Sequence, residues 1–332
     1  MKVALTYNLK KKDNTKPADY FSEFDSEETI KAIVSSLESK GHTVEKIDVE
    51  YPRLFSYFRN NRVDMVFNIA EGKCGKFRES EVPAVLDYLN IPYTGSSTFS
   101  LALALNKALT KKILKAEGIP TPDFQIFLTG REELNPSLKF PLIVKPNYEG
   151  SAKGINKNNV VHKKEDLYQK VRELIGHYKQ EALVEEFIEG KELTVGILEN
   201  GKTTVLPILE IDFSSCEKSG EYFYSWKMKE YQGNTELGTT PTFHCPARLN
   251  NNDEVAVKEA ALRTHRAVGC LDISRTDIRL NKEGVPYVLE INPLPGLDPK
   301  ESNFPIMAYA AGMKYGDIIE AILMSASERN KA

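Results

Sequence analysis

The stretch Val288-Leu289-Glu290-Ile291-Asn292-Pro293-Leu294-Pro295-Gly296 begins as a strand and is stopped by two prolines. Val288, Leu289 and Ile291 form its apolar body, and Pro293 and Pro295 cannot donate to a ladder. Glu290 and Asn292 lie two apart, so strand alternation points both side chains to one face. A carboxylate beside an amide oxygen suits a hard divalent cation such as Mg2+. Just upstream, Ser274-Arg275-Thr276-Asp277-Ile278-Arg279-Leu280 alternates in the same way, and Asn281-Lys282-Glu283-Gly284 is a turn between the two runs. Folded as a hairpin, the pair brings Asp277 beside Glu290. A solvated surface hairpin has the same pattern, so this stretch alone leaves both readings open.

Outward from the hairpin, 332 residues allow two or three compact units with a sizeable core. The 41% hydrophobic and 27% charged residues are ordinary values for a soluble globular chain. A net charge of −3 argues against a general nucleic-acid surface. Cys74, Cys216, Cys245 and Cys270 are scattered, with neither metal-ligand spacing nor disulfide density. No apolar run approaches the roughly 20 residues of a membrane helix, and the opening Lys2-Val3-Ala4-Leu5-Thr6-Tyr7 is too quickly polar for a signal peptide. The expectation is a cytoplasmic protein with no membrane or nucleic-acid partner.

The first ninety-odd residues alternate strand and helix. Val3–Tyr7, Val44–Val49 and Val63–Ile69 read as strands. Asp25 with Glu28 looks like a capping-box start for a helix that Gly41 closes, with Ile30, Ile33, Val34 and Leu37 inward. A further helix is expected from about Glu79 to Asn90. This alternation predicts a doubly wound parallel sheet, which binds ligands at the carboxyl ends of its strands. Asn68–Arg78, with Glu71, Lys73 and Arg78, is such an end.

Pro92-Tyr93-Thr94-Gly95-Ser96-Ser97 marks a boundary, giving an N-terminal α/β unit at residues 1–96. Two helices follow from Thr98 to Glu117, with Leu101, Leu103, Leu105, Leu109, Ile113 and Leu114 as core. Next come strands at Phe124–Leu128, Phe140–Pro146 and Val160–Val161, and a helix from Glu165 to Tyr178. These form a central unit at 97–181 and leave 182–332 as the C-terminal one. Ser214–Cys245 is polar and irregular, a length more often functional than filler. A helix at Asp253–Val268 precedes the hairpin, and helices from Phe304 to Met324 end the chain.

Glu149-Gly150-Ser151-Ala152-Lys153-Gly154 follows a strand and offers backbone N–H groups to a phosphate. It is neither a Walker loop nor a Rossmann fingerprint, and alone it reads equally as a hairpin turn. Lys145 sits mid-strand among Ile143, Val144 and Pro146, where an ammonium needs an anion or a path to solvent. Lys107, Glu185 and Glu192, each taken alone, read as surface charges.

Taken together, Val144-Lys145-Pro146, Glu149-Gly150-Ser151 with Gly154, Glu185-Glu186-Phe187-Ile188 with Glu192, Arg275-x-Asp277 and Glu290-x-Asn292-x-x-Pro295-Gly296 resemble the ATP-grasp superfamily. The closest resemblance is to the D-alanine–D-alanine ligase family, and it spans nearly the whole chain. It implies a three-part ATP-grasp fold, α/β in its first part and α+β beyond. It implies ATP and Mg2+ as cofactors, with Mn2+ as an alternative ion, and a role in peptidoglycan synthesis. By the same resemblance, Lys107 and Lys145 contact phosphates and Ser151 lies in the loop over them, next to Glu149. Glu185, Glu186, Phe187 and Ile188 bind adenine, and Glu192 the ribose. Asp277, Glu290 and Asn292 hold two Mg2+. Arg275 and the Gly296 N–H stabilise an oxyanion, Lys229 reaches the transferred phosphate, and Ser302 lies near the second substrate's carboxylate. The resemblance also implies a homodimer through the first unit.

Two segments depart from the family. Thr6-Tyr7-Asn8-Leu9 replaces a glycine-rich turn, with Glu23 as an approximate match for the glutamate beyond it. Asn68-Ile69-Ala70-Glu71-Gly72 replaces a His-Gly segment, which makes Glu71, with Arg78 as its charge partner, a candidate for contact with the substrate. The substrates are expected to be small amino-acid-like molecules. A carboxylate activated as an acyl phosphate and attacked by an amine or hydroxyl is the chemistry implied, under a loop from Trp226 to Gly238 that excludes water.

Overall fold

The structure is a computed structural model that describes the chain except for residues 12, 14, 50–52, 74, 217, 232, 233 and 332. Cys74, noted in the sequence, lies outside the described residues.

The first unit contains β1 (Lys2–Tyr7), α1 (Glu27–Ser39), β2 (Thr43–Asp48), α2 (Arg53–Asn60), β3 (Met65–Asn68) and α3 (Glu81–Leu89). Its three strands are parallel in the order β2-β1-β3. β1 is apolar without alternation because both of its faces are covered. Val3 and Leu5 pack with Ile30, Ile33 and Leu37 of α1, and Ala4 packs with Leu54, Phe58, Val82 and Leu86 on the other side. Each fully buried side chain of the Val, Leu or Ile kind contributes about 1.5–3 kcal/mol. Ser26, rather than Asp25, caps α1, accepting from the Thr29 N–H at 3.1 Å. Asp25 is thereby left to face a cavity. The helix α2 has no counterpart in the sequence reading.

The second unit begins with α4 (Thr98–Leu105) and α5 (Lys107–Ala116), which meet at Asn106, whose side chain accepts from the Leu109 N–H. Leu101, Leu103, Leu105 and Leu114 are buried, but Leu109 is 44% exposed because α5 turns it to solvent. An antiparallel sheet follows, built from β4 (Phe124–Phe127), β5 (Leu142–Pro146), β6 (Val160–Val161) and β7 (Ala182–Glu186), in the order β4-β7-β5-β6. Lys145 thus lies on an interior strand, not at an edge. The helix α6 (Lys164–Tyr178) covers one face of the sheet through Leu167, Val171 and Leu174.

The third sheet contains β8 (Lys191–Glu199), β9 (Thr203–Val205), β10 (Leu209–Asp212), β11 (Thr242–His244), β12 (Ile273–Leu280) and β13 (Pro286–Asn292). Its main order is β11-β10-β8-β12-β13, with β9 on β8, and all pairings are antiparallel. The stretch 214–245 is less irregular than its composition suggests, since it carries a short helix, α7 (Trp226–Glu230), ahead of β11. One face of the sheet is covered by α8 (Asn251–Val268), through Val257, Ala260 and Ala261 against Leu193, Val195, Ile278 and Val288. The last two helices, α9 (Asn303–Ala310) and α10 (Tyr315–Arg329), pack their Phe304, Met307, Ile318 and Ile322 into the core shared with α1 and β1. The C-terminus of the chain therefore buttresses the first unit.

Candidate active site

The hairpin forms in the register read from sequence. Asp277 pairs with Glu290, and Arg275 with Asn292, with a bulge between Asp277 and Ile278. Such bulges re-aim side chains beside sites. Arg275 donates to both oxygens of Asp277, Nε to Oδ1 at 3.0 Å and a terminal nitrogen to Oδ2 at 2.9 Å. The Thr194 hydroxyl donates to Asp277 Oδ1 at 2.7 Å. Glu290 is held instead by Lys107 Nζ, 3.1 Å from Oε2. Burial pushes the Glu290 carboxyl up, but Lys107, Lys229, Lys145 and Arg275 outweigh it and hold the group well below the usual range. Lys107 is therefore a buried ion-pair partner and not a surface lysine.

Beside this end lies a cleft lined by Lys107, Lys145, Glu149, Glu185, Glu186, Phe187, Ile188, Glu192, Lys229, Arg275, Asp277 and Glu290. Lys145 reaches Glu185 Oε1, and Lys111 reaches the other oxygen, Oε2, at 2.9 Å. Glu192 accepts from Arg279 at 2.7 Å, and the Arg279 guanidinium lies over the Phe187 ring, 5.1 Å from its centre. The Phe187 N–H donates to the Pro141 carbonyl at 2.9 Å, which fixes the segment at the cleft wall.

The loop 149–154 closes one side. Ser151 and Ala152 adopt φ of 47° and 53°, consecutive left-handed conformations that are unusual outside glycine. Lys107 Nζ donates to the Glu149 carbonyl at 2.7 Å, and Gln180 donates to the Glu149 carboxylate at 2.7 Å. The Gly150 N–H donates to Glu23 Oε1 at 2.8 Å. A side chain at Gly150 would meet that oxygen at 2.5 Å, so the close approach requires glycine.

A second cavity, of about 300 Å³, opens on the other side of the hairpin end. Glu23, Glu71, Ser151, Arg275, Glu290, Asn292, Gly296 and Ser302 line it, and so do Asp25 and Glu79. The Asp298 N–H donates to the Ser302 hydroxyl at 3.0 Å, and any side chain at Gly296 would meet that hydroxyl at 2.9 Å. Lys229, on α7, lines both spaces, as do Lys107, Arg275 and Glu290. Burial and the nearby Arg275 lower the Lys229 pKa. The helix α7 is tied down by Trp226 Nε1, which donates to the Ser22 hydroxyl at 2.8 Å, and by the Trp226 N–H, 3.1 Å from the Ile155 carbonyl.

Residues 113–324 match the family described as D-ala D-ala ligase C-terminus. The D-alanine–D-alanine ligase of Pelotomaculum thermopropionicum is 34% identical over 311 residues, covering 90% of this chain and 91% of its own. The chain belongs to the D-alanine–D-alanine ligase family. It is thus an ATP-grasp ligase. An uncharacterized protein, y4sG, of Sinorhizobium fredii is 36% identical over 265 residues, which cover 80% of this chain and 75% of that one. The D-alanine–D-alanine ligase of Bacillus anthracis, solved in complex with ATP, is 26% identical with a TM-score of 0.76, covering 100% of this ligase and 99% of that chain.

In this ligase the residues singled out from sequence divide between two adjoining spaces, with four charged groups shared. One expected contact differs. Arg78 pairs with Glu23, at 2.5 and 3.2 Å, and not with Glu71. Tyr7 packs beside the core of the first unit, and it does not line the cavity. Asn8 braces the neighbouring loop instead, accepting from the Gly72 N–H at 3.0 Å. Sequence reading missed Lys111, Lys153 and Arg279. Lys111 and Arg279 were legible as periodic partners, one helical turn beyond Lys107 and two residues beyond Asp277. Among the described residues no helix is long and apolar enough to cross a membrane.

Proposed function

We propose that this ligase activates an amino-acid-like carboxylate with ATP and joins it to an amine or hydroxyl, releasing ADP and phosphate. The observation that carries the proposal is the sharing of Lys107, Lys229, Arg275 and Glu290 between the cleft and the cavity. A phosphoryl group passing from one to the other would meet three cations and an acid at the junction.

In this reading the nucleotide takes the cleft. Phe187 and Ile188 flank the base with Glu185 and Glu186, Glu192 accepts from the ribose, and Lys107 and Lys145 meet the phosphates. Ser151 and Glu149 belong to the loop that covers them. Asp277, Glu290 and Asn292 offer oxygen donors alone, two of them anionic, a set that fits Mg2+ and also accepts Mn2+. When bound, such an ion offsets phosphate charge. Glu290 and Asp277 would pass from Lys107 and Arg275 to that ion.

The acid takes the larger cavity. Arg275 and the Gly296 N–H would stabilise the oxyanion formed when the nucleophile attacks the acyl phosphate, and Ser302 would orient the second substrate. Lys229 offsets charge on the transferred phosphoryl group, and α7 excludes water. Glu23 and Glu71 form the far wall, toward the first substrate. The proposal includes units at 1–96, 97–181 and 182–332, a homodimer through the first, a cytoplasmic location and a cell-wall role.

Measuring ADP release against a panel of D- and L-amino acids, hydroxy acids and dipeptides tests it. Stimulated release with formation of the condensed product is the expected result. ATP binding with no stimulation by any of the panel would favour a nucleotide-binding relative that has lost catalysis.

A further inference from the structure

Lys111 lies one turn after Lys107 on α5, and that spacing puts both ammonium groups on one face. Lys107 points to Glu290 and Lys111 to Glu185. The Lys111 and Glu185 side chains are each 1% exposed. Lys111 lines neither the cleft nor the cavity. Its ammonium donates to the Thr121 hydroxyl at 2.9 Å, and that hydroxyl donates to the Val288 carbonyl at 2.7 Å. Val288 lies two residues before Glu290. One buried group thus fastens α5, β7 and β13 beneath the cleft.

The charges at this point do not balance in pairs. Glu185 has a single negative charge, and two ammonium groups share it, Lys145 on one oxygen and Lys111 on the other. Burial raises the Glu185 carboxyl, while Lys111 and Lys145 together bring it below its ordinary range. Lys145 borders the cleft, so a phosphate can draw it away. With Lys145 gone, a buried carboxylate without another counter-ion would be strongly disfavoured. Lys111 is that other counter-ion.

We infer that Lys111 is a positioning residue: it keeps Glu185 neutralised and so frees Lys145 to bind a nucleotide phosphate. This rests on the proposed placement of ATP in the cleft. Without Lys111, Glu185 holds Lys145, and phosphate binding weakens while the base site keeps its shape.

The test is calorimetric titration of the full-length Lys111→Met variant with ATP, and with adenosine by displacement, alongside a thermal melt. Adenosine has no phosphate and no need of Lys145. ATP affinity should fall by about tenfold or more, while adenosine affinity stays within about threefold of the wild type. Equal weakening of both ligands would make Lys111 a packing residue and overturn the inference, as would no change in either. Lys111→Met/Glu185→Gln removes the unpaired charge and covers the case in which the single variant does not fold. In the double variant the ratio of ATP to adenosine affinity should return to within about threefold of the wild type. A ratio that stays low overturns the inference. Failure of the wild-type protein to bind ATP would count against the proposed function itself, a result distinct from either.

Discussion

Asp277 and Glu290 stand opposite each other across the β12–β13 pair, yet each is neutralised by a different cation, Arg275 for the first and Lys107 for the second. Two adjacent carboxylates repel, and separate counter-ions keep both charged. Glu290 is therefore anionic at any working pH. Glu290→Gln keeps the shape and removes the charge. Turnover should fall by more than the roughly 10–100-fold that loss of an outer-shell partner costs a metal site. Unchanged activity with an unchanged metal requirement would remove Glu290 from the site, and circular dichroism would confirm that the fold survives.

Arg275 meets Asp277 with two nitrogens of its planar fork, a geometry lysine cannot reproduce. Arg275→Lys should lower kcat by about 10²–10³, the cost of losing one oxyanion donor. Steady-state kinetics should show kcat falling with little change in the KM for ATP. A loss confined to KM would place Arg275 in ground-state binding only.

Glu23 is the anionic centre of a buried cluster. It accepts from Arg78, from the Gly150 N–H and from Lys153 at 2.9 Å. Burial would raise its pKa, but Arg78 and Lys153 bring it down to about 2. A depressed carboxyl stabilises the fold above its unfolded value, and that stability is lost as pH falls from about 4.5 toward 2. Glu23→Gln removes the nearer anion and leaves Arg78 and Lys153 only the more distant Glu149 carboxylate, at 3.6 and 3.4 Å, so it should destabilise the fold, by at most about 3–5 kcal/mol. Melting curves between pH of about 4.5 and about 3, the window of the Glu23 shift, should show the wild type losing stability and the variant losing less.

Phe55 on α2 and Tyr88 on α3 are 40% and 79% exposed, with ring centres 6.1 Å apart. An apolar pair of this kind on the first unit is where a second copy would pack. Light scattering should give twice the mass of one chain, and Tyr88→Lys should shift it toward the monomer. A monomer at high concentration would decide against the dimer.

The hairpin was legible because alternation and two prolines fix the register of Glu290 and Asn292 without outside help. Strands buried on both faces, such as β1, were legible as apolar runs. Charge partners were not. Arg78 meets Glu23 across 55 residues of sequence, and Lys107 meets Glu290 across a domain, so no local spacing encodes either pair. Caps were ambiguous for a related reason. Asp25 and Ser26 are both good N-cap residues, and the fold seats the Ser26 hydroxyl on the Thr29 N–H while Asp25 lines the cavity.

The first substrate is expected to differ from D-alanine. Asp25, Glu71 and Glu79 line the larger cavity, and none of the three carboxylates makes a hydrogen bond or ion pair among the described residues. Arg78, the neighbour of Glu79 in sequence, is engaged by Glu23. Burial and Asp298 raise Asp25 to about 7. Burial also raises Glu79 to about 7, with Glu23 adding to the shift and Arg78 opposing it. Burial, with Glu79 and Glu23, raises Glu71 as well. A small zwitterion brings one ammonium and cannot pair with three acids. Polar groups left unpaired by the wrong substrate can discriminate by as much as roughly 10⁴. D-alanine should therefore show a kcat/KM far below that of the preferred acid. The pH dependence has a definite sign. Below about 7 Asp25 and Glu79 are protonated and attract a cation weakly, so affinity for an ammonium substrate should rise as pH passes upward through about 7. Because these folded pKa values lie above the unfolded ones, the ligand-free protein should lose stability over the same rise, from about 4 to about 7. Glu79→Gln should flatten the affinity profile while leaving ATP binding unchanged. Efficient D-alanyl-D-alanine synthesis, at rates no other amino acid approaches and with an affinity flat between pH 6 and 8, would overturn this expectation and leave the three acids as another solution to binding the same small zwitterion.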